Sequence, residues 1–216
     1  MESFVVSALK YRPTRFEGVV GQQAITQTLQ NALDTQQLAQ SLLFCGPRGV
    51  GKTSCARILA QEINSQNGNQ SEDFAFNVFE LDAASNNLVE DIRKINEQVR
   101  IPPQVGTHKV YIIDEVHMLT QSAFNAFLKT LEEPPKHAIF ILATTEKNKI
   151  IPTILSRCQV YDFKRISVLD IQQHLTKIAI QQELKFEDEA LLLIAQKADG
   201  ALRDAFSIYD RMVSFT

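Results

Sequence analysis

The segment Gly46-Pro47-Arg48-Gly49-Val50-Gly51-Lys52-Thr53 is the feature that most constrains how this chain can fold. It matches the phosphate-loop pattern G-x-x-x-x-G-K-[ST] at every fixed position. The apolar residues 41–45 before it predict a buried strand, and residues 53–63 after it have the apolar spacing of an amphipathic helix. A strand, a glycine-rich loop and a helix N-terminus together make an anion site, because backbone N–H groups and the positive end of the helix dipole point at one place.

The residue types in this loop indicate which anion it binds. Lys52 would neutralise the outer phosphates of a nucleoside triphosphate, and the hydroxyl of Thr53 would hold Mg²⁺. Glycine suits the loop because its backbone, which carries no Cβ, can wrap a phosphate closely. We therefore expect the phosphates to be bound by the loop and the first helical turn, which comprise Gly46, Pro47, Arg48, Gly49, Val50, Gly51, Lys52, Thr53 and Ser54.

A second candidate site element is a pair of adjacent carboxylates. Residues 109–115 predict a strand whose C-terminal end carries Asp114 and Glu115. Ligands bind at the carboxyl ends of strands in an open parallel sheet. Asp114 would therefore reach Mg²⁺ directly or through water, and Glu115 would polarise the water that attacks the terminal phosphate. Taken alone, the pair fits equally well a strand that ends in solvated acids, but the intact phosphate loop favours the catalytic interpretation.

Two hydroxyl side chains end a further apolar segment. Residues 138–143 predict a buried strand, and Thr144 and Thr145 follow it. A hydroxyl at this position could hydrogen-bond the terminal phosphate or the attacking water. A threonine that caps a turn at the end of a strand is an equally good interpretation of the same residues.

The N-terminal twenty residues predict an extended arm. Pro13 disfavours helix at the residue before it. Tyr11 and Phe16, together with Val19 and Val20, could lie against a flat base such as adenine. The simpler interpretation is that the two aromatic side chains pack onto the core, because aromatic residues bury a large area by default.

Predicted strands and helices alternate as far as residue 163. The strands are expected at 41–45, 76–81, 109–115, 138–143 and 160–163, and the helices at 25–38, 53–63, 88–99 and 122–131. This alternation predicts an α/β fold with a parallel sheet flanked by helices. Three amphipathic helices after residue 167 predict a small helical module. We expect a nucleotide-binding domain over residues 1–163 and a helical lid domain over residues 164–216.

Composition excludes several other classes of protein. A hydrophobic content of 44% is typical of a globular core, and a net charge of −3 gives no general indication of nucleic-acid binding. The three cysteines form no CxxC pair, so we expect neither a disulfide framework nor a zinc site. The N-terminus has no signal-peptide pattern and no apolar run approaches about 20 residues, so we expect a cytoplasmic protein without a membrane span.

The motifs taken together resemble the AAA+ ATPases of the clamp-loader type, and among them the gamma/tau subunits of bacterial DNA polymerase III. The phosphate loop alone is generic, but the further stretches occur in the family's order and cover nearly the whole chain. They are 11–13, 20–22, 82–85, 114–119, 131–135, 144–145, 153–158 and 200–204.

The resemblance implies a P-loop NTPase (AAA+) fold that binds ATP and Mg²⁺, and it implies a role for individual residues. Lys52 and Thr53 are similar to the Walker A pair, and Asp114 and Glu115 to the Walker B pair. Thr145 is similar to the first sensor, with Thr144 as the alternative, and Arg203 is similar to the second sensor. Arg157 is similar to an arginine finger that acts in the neighbouring subunit's site. The residues similar to the adenine pocket are Ala8, Tyr11, Arg12, Pro13, Val20 and Gly21.

The resemblance also implies partners. An ATPase motor of this type would act within a DNA polymerase III holoenzyme. It would therefore be classified under the holoenzyme's DNA polymerase activity, which is a nucleotidyltransferase activity. It would work with other clamp-loader subunits, the sliding clamp and the phosphates of primer–template DNA. A non-hydrolysing stator and a branch-migration motor are the rival interpretations.

The sequence departs from the family in two places. The polar residues 64–73 stand where many relatives carry a four-cysteine zinc module, so we expect no zinc. The chain also stops just after the lid, where family members continue into a collar. We expect a fragment that is monomeric or only weakly associated.

Overall fold

A parallel sheet, flanked by helices, forms the centre of the computed structural model, which describes residues 5–65, 76–86 and 88–215. The strands within these residues are β1 (Ser41–Cys45), β2 (Val78–Asp82), β3 (Lys109–Asp114), β4 (Ala138–Thr144) and β5 (Gln159–Asp162). The helices are α1 (Ser7–Lys10), α2 (Gln23–Asp34), α3 (Lys52–Ser65), α4 (Val89–Val99), α5 (Gln121–Glu132), α6 (Pro152–Leu155), α7 (Val168–Gln181), α8 (Asp188–Lys197) and α9 (Leu202–Val213).

The strand order is β2-β3-β4-β1-β5, and all four pairings are parallel. The predicted α/β fold is therefore confirmed, and so is the helical module that follows it. In the register, Cys45 pairs with Thr144 and Asp82 with Asp114. The carboxyl ends of the strands consequently lie along one edge of the sheet, where ligands bind in folds of this kind.

The sheet is buried on both faces, as parallel sheets usually are. Side chains alternate along each strand, so Leu42 and Phe44 pack against α2 and α3, whereas Leu43 and Cys45 face the core beside α4 and α5. Every residue of β1 and β4 is buried. This double burial explains why the central strands read as continuous apolar runs in the sequence.

The prediction of an extended N-terminal arm was wrong in part. Residues 7–10 form the short helix α1, and residues 16–18 form a 3₁₀ turn. Pro13 disfavours helix at Arg12, the residue before it, and residues 7–10 lie farther upstream. Tertiary contact stabilises α1, because the backbone N–H of Ser7 donates to Asp210 Oδ2 of α9 at 2.9 Å.

Predicted element boundaries moved by up to four residues. The helix expected at 25–38 runs from Gln23 to Asp34, where Gln36 adopts a positive φ of 54° and ends it. Residues 66–73 of the expected polar loop lie outside the described residues. No helix in the described part of the chain has the length and apolarity needed to span a membrane.

The helical module packs against the phosphate loop through its backbone. The N–H of Leu202 donates to the carbonyl of Gly49 at 3.0 Å. The buried amide of Gln22 adds a second link, since it donates to Lys164 O at 2.7 Å and to Val50 O at 3.4 Å. The loop is therefore fixed from the sheet side and from the helical side.

We predict that Gly46→Ala destabilises the fold more than Gly51→Ala does. Both glycines have positive φ (147° and 103°), where a side chain is strained by about 1–3 kcal/mol. A Cβ at Gly46 would in addition overlap the backbone carbonyl of Phe163, whereas at Gly51 the nearest atom is 3.7 Å away. Urea unfolding should place the Gly46 variant at least about 1 kcal/mol below the Gly51 variant. Equal losses would contradict this explanation.

Candidate nucleotide-binding site

The phosphate loop leaves β1 at the ligand edge of the sheet and enters α3. Three of its glycines have positive φ, namely Gly46 at 147°, Gly49 at 76° and Gly51 at 103°. Such backbone angles are unfavourable for residues with a Cβ, which explains the glycine pattern of the motif. The loop thus forms a concave backbone surface directly before the N-terminus of a 14-residue helix, as expected for a phosphate site.

Lys52 lies inside this loop. Its side chain is almost buried, and its Nζ donates to the carbonyls of Gly46 and Pro47, both at 2.7 Å. Burial lowers the pKa of Lys52, and the carboxylates of Glu115 and Asp114 oppose that shift. An ammonium has three protons to donate. With two donated to carbonyls, the third is available to a phosphate oxygen.

Thr53 and Asp114 approach each other at the mouth of the loop. Thr53 Oγ1 donates to Asp114 Oδ2 at 2.6 Å, although the residues lie 61 positions apart in sequence. A hydroxyl and a carboxylate are hard oxygen ligands of the kind that Mg²⁺ prefers, and Mg²⁺ usually takes only one or two protein ligands beside phosphate and water. The pair fits Mg²⁺. No group of three or more His, Cys, Asp or Glu that could hold a metal occurs among residues 5–65, 76–86 and 88–215.

Glu115 adopts a left-handed conformation with φ 47°. This strained backbone turns its carboxylate toward β4, where Thr145 Oγ1 donates to Glu115 Oε2 at 3.0 Å. The Thr144 hydroxyl has a different partner: it accepts a hydrogen bond from the N–H of Glu146 at 3.0 Å in the turn after β4. Of the two threonines, Thr145 is the one in contact with the candidate base.

Sequence reasoning gave no role to His117, which joins Glu115 to the loop after β4. Its nearly buried ring lies between two carboxylates, with Nδ1 3.4 Å from Glu115 Oε2 and Nε2 3.3 Å from Glu146 Oε1. Nδ1 is also 3.1 Å from Thr144 Oγ1. The ring therefore restricts where the Glu115 side chain can point. The only signal in the sequence was a histidine two residues after the carboxylate pair.

A cleft that is partly open to solvent extends from the loop to the helical module. Its polar lining includes the loop residues Arg48, Lys52 and Thr53 together with Asp114 and Glu115. The rest of its lining is mostly apolar and aromatic and comes from both the N-terminal residues and the module; it consists of Ala8, Tyr11, Pro13, Val19, Val20, Ile166, His174, Leu202 and Phe206. This shape suits a ligand with an anionic end and a flat apolar end.

The two interpretations of the N-terminal aromatic residues apply to different side chains. Phe16 is buried in the core, whereas Tyr11 lines the cleft and stacks near Phe206 with a centroid distance of 6.4 Å. Tyr11 is also held by a hydrogen bond, because its hydroxyl accepts from Gln182 Nε2 at 2.9 Å. Tyr11 is thus both a structural contact and part of the cleft wall.

Three arginines add positive charge to the cleft. Arg12, Arg48 and Arg203 line it, and none of their guanidinium groups forms a hydrogen bond or ion pair with another residue in the described part of the chain. Together with Lys52 they place four cations beside the two carboxylates. The cleft is therefore suited to a polyanion.

Most of the predicted site residues meet in this cleft. Fourteen of the predicted binding residues line it, and Glu115 lines it beside them. Gly46 and Pro47 contact Lys52 instead, Thr145 contacts Glu115, and Gly21 packs against Ile166. The sequence did not reveal Ile166, His174, Leu202 and Phe206, which enter from the helical module.

Arg157 lies outside the cleft. Its guanidinium is folded against its own chain, where it donates to Glu132 Oε1 at 2.5 Å and to the carbonyl of Thr153 at 2.6 Å. No atom of this chain's cleft is among these contacts. Arg157 is therefore not among the residues that line the cleft of its own chain.

The three cysteines carry free thiols. Burial raises the pKa of Cys55 and of Cys158 to about 12 and that of Cys45 to about 11. The thiols are therefore protonated at neutral pH and are poor nucleophiles and poor metal ligands.

Two family models match the chain. One, described as DNA polymerase III, delta subunit, matches residues 21–167. The other, described as DNA polymerase III clamp loader subunit, ATPase lid domain, matches residues 170–216.

Curated relatives carry related names. The DNA polymerase III subunit tau of Bacillus subtilis is 50% identical over 95% of this chain and 39% of its own length. The Escherichia coli tau subunit is 43% identical over 98% of this chain and 35% of its own length. The chain thus spans a little over a third of these two relatives. Their names give no support to the nucleotidyltransferase activity expected from the holoenzyme.

Solved structures share the fold. Thermotoga maritima RuvB, described as a Holliday junction branch migration motor, superposes with a TM-score of 0.73 over 94% of this chain and 65% of its own. Its sequence is 21% identical, so the likeness concerns the fold alone. The predicted P-loop NTPase (AAA+) fold is confirmed by this match and by the lid model.

We predict that Lys52→Met weakens binding of inorganic tripolyphosphate at least about tenfold while the free energy of unfolding changes by less than about 1 kcal/mol. Burying the ammonium is itself unfavourable, and relief of that cost offsets the loss of its two hydrogen bonds to the loop carbonyls. Calorimetric titration and urea unfolding would test the two halves. Arg48→Met on the exposed side of the same loop is the control and should lose less affinity. Equal affinity losses in the two variants would contradict the role assigned to the buried ammonium.

Proposed function

Because the chain belongs to the DNA polymerase III clamp-loader subunit family, as its motifs indicated, we propose that it is the ATP-hydrolysing motor core of a gamma/tau-type subunit. The subunit would use ATP to load a sliding clamp onto primed DNA. The observation that carries the proposal is the meeting of Lys52, the Thr53–Asp114 pair and the Glu115–Thr145 pair at one sheet edge, beneath an arginine of the helical module.

Binding of the triphosphate begins at the loop. Phosphate oxygens would accept from the backbone N–H groups of residues 49–53 and from the free proton of Lys52. Thr53 Oγ1 and Asp114 would hold Mg²⁺, which supplies neutralisation of charge on the outer phosphates. Their present hydrogen bond keeps both oxygens within reach of one position.

Hydrolysis requires an oriented water. Glu115 would accept a proton from that water, and such a base contributes about 10²–10⁴-fold to a rate. Thr145 and His117 restrict the carboxylate from two sides, so that its position is fixed before substrate arrives. Arg203 belongs to the helical module, and its Cβ lies next to Gly49 of the loop. Its guanidinium would therefore contact the phosphates from the side of the module.

Arg157 would serve the site of a neighbouring subunit. It does not line the cleft of its own chain, and its guanidinium is held by Glu132 and Thr153 near the surface. A positive charge supplied in trans stabilises charge that develops in the transition state of phosphoryl transfer. The other clamp-loader subunits are therefore the first proposed partners.

The remaining parts of the proposal concern assembly. Residues 1–163 would act as the nucleotide-binding domain and residues 164–216 as its lid. The sliding clamp and the phosphates of primer–template DNA would be bound in the ATP state and released after hydrolysis, because the two nucleotide states differ in affinity for them. Such a protein would work in the cytoplasm.

Two rival functions are less well supported. RuvB-type branch migration rests on a likeness of fold at 21% identity, whereas the relatives named as tau subunits reach 43–50%. A non-hydrolysing stator has no need of a candidate base that is held by Thr145 and His117. Capture of a sliding clamp or of clamp-loader subunits would separate the proposal from branch migration.

We expect ATP hydrolysis by the chain to be slow alone and to rise with clamp-loader partners on primed DNA. Lys52→Ala should abolish both rates. Arg157→Ala should leave the rate of the isolated chain unchanged and lower the stimulated rate about 10²-fold or more. Arg93→Ala, an exposed arginine on α4, is the control. If Arg157→Ala lowered the unstimulated rate, the trans role would be wrong.

We predict that Glu115→Gln lowers single-turnover ATP hydrolysis at least about 10²-fold and changes ATP affinity less than about threefold. The amide preserves size and the contact with Thr145 but cannot accept the proton of the water. Glu146→Gln, which alters the far side of His117 without entering the cleft, should have a smaller effect on the same rate. A large loss of ATP affinity in Glu115→Gln would point to a binding role instead.

A further inference from the structure

His174, on α7 of the helical module, has a nitrogen without a partner. Its side chain is among those that line the cleft. The Nε2 atom is buried and has no hydrogen-bond partner among the described residues. Buried polar atoms in native proteins are nearly always paired, so an exception needs an explanation.

The hydroxyl groups of two tyrosines at the core of the helical module, where Phe206 also lies, are satisfied. The Tyr11 hydroxyl accepts from Gln182 Nε2 at 2.9 Å, and the Tyr209 hydroxyl donates to Gln182 Oε1 at 2.8 Å. His174 instead meets Phe206 edge to face, with ring centroids 5.8 Å apart. The nitrogen without a partner is therefore a feature of this position and not of the whole module.

The surroundings of the His174 ring favour its neutral form. Burial lowers the pKa of His174, and the positive charge of Lys177 lowers it further. A neutral imidazole offers one N–H donor and one acceptor nitrogen. It is therefore matched to a neutral ligand with hydrogen-bonding edges and not to a phosphate.

We propose that His174 recognises the adenine base of the bound nucleotide through Nε2. This inference rests on the proposed function, since it assumes that the phosphates occupy the loop. Adenine presents ring-nitrogen acceptors and an amino donor on its edges, so it can satisfy Nε2 in either tautomer of the histidine.

The contact needs a small movement. Neighbouring atoms cover Nε2 in this structure, so the ring of His174 must turn toward the cleft when a base enters. Edge contact with Phe206 leaves the ring held by packing alone, without a hydrogen bond at Nε2 to break. The base would thus gain a hydrogen bond without the loss of an existing one.

The experiment compares His174→Phe with the unchanged chain. Phenylalanine preserves a ring against Phe206 but removes the nitrogen. We expect ATP to bind about tenfold more weakly by calorimetric titration. Inorganic tripolyphosphate, which lacks a base, should bind equally to both. His174→Gln, whose amide can reach the position of Nε2, should recover most of the affinity for ATP.

A stability measurement separates recognition from a structural role. Removing an unpaired buried nitrogen should leave the thermal midpoint of the nucleotide-free chain unchanged or raise it. A structural histidine would instead lower both the midpoint and the affinity for tripolyphosphate. That result would overturn the inference, as would undiminished ATP affinity in His174→Phe.

A second measurement needs no substitution. The chain has four histidines, so imidazole ¹⁵N resonances are few enough to assign. ATP should shift the Nε2 resonance of His174, and tripolyphosphate should not; no shift with ATP would overturn the inference. If the unchanged chain binds neither ligand, the proposed function fails. If it binds both and His174 does not respond, only the present inference fails.

Discussion

The structure depends on a loop that must turn sharply between two packed surfaces. On one side Gly46 lies against the backbone of Phe163, and on the other Gly49 lies against Ala201. Positive φ angles satisfy both contacts at once and leave the backbone N–H groups pointing into a concave surface. The same geometry directs the carbonyls of Gly46 and Pro47 to Lys52. Anion binding is thus a consequence of how the loop is packed, and not of its sequence alone.

The order of the strands explains why the remaining residues arrive at this loop. β4 lies between β1 and β3, so the loop after β1 and the acids after β3 approach across the end of β4. Thr53 and Asp114 can therefore share a hydrogen bond at 2.6 Å, and Thr145 can reach Glu115. A parallel sheet places all these groups at one edge because each strand delivers its C-terminal residues there. The left-handed turn at Glu115 then aims one carboxylate away from its neighbour.

Local signals in the sequence were sufficient for the fold and for much of the site. The phosphate loop, the apolar strands and the amphipathic helices are each encoded within about fifteen residues, so periodicity and motif identify them. Contacts between distant residues were not accessible in this way. Gln22 pairs with Lys164 across 142 positions, and nothing about either residue indicates the other. The helix α1 was missed for the same reason, because a tertiary contact with Asp210 stabilises it.

Those distant contacts connect the helical module directly to the phosphate loop. The Gly49 carbonyl accepts from Leu202, the first residue of α9, and Arg203 follows immediately in sequence. The Gln22 amide joins the carbonyl of Val50, within the loop, to Lys164 at the start of the module. A change in the loop when phosphate is bound or lost would therefore act on the module at two places, Lys164 and the first residue of α9, through these hydrogen bonds. Because packed elements move as units rather than deform, a shift of a few tenths of an ångström at Gly49 would have to rotate the module or break one of these bonds.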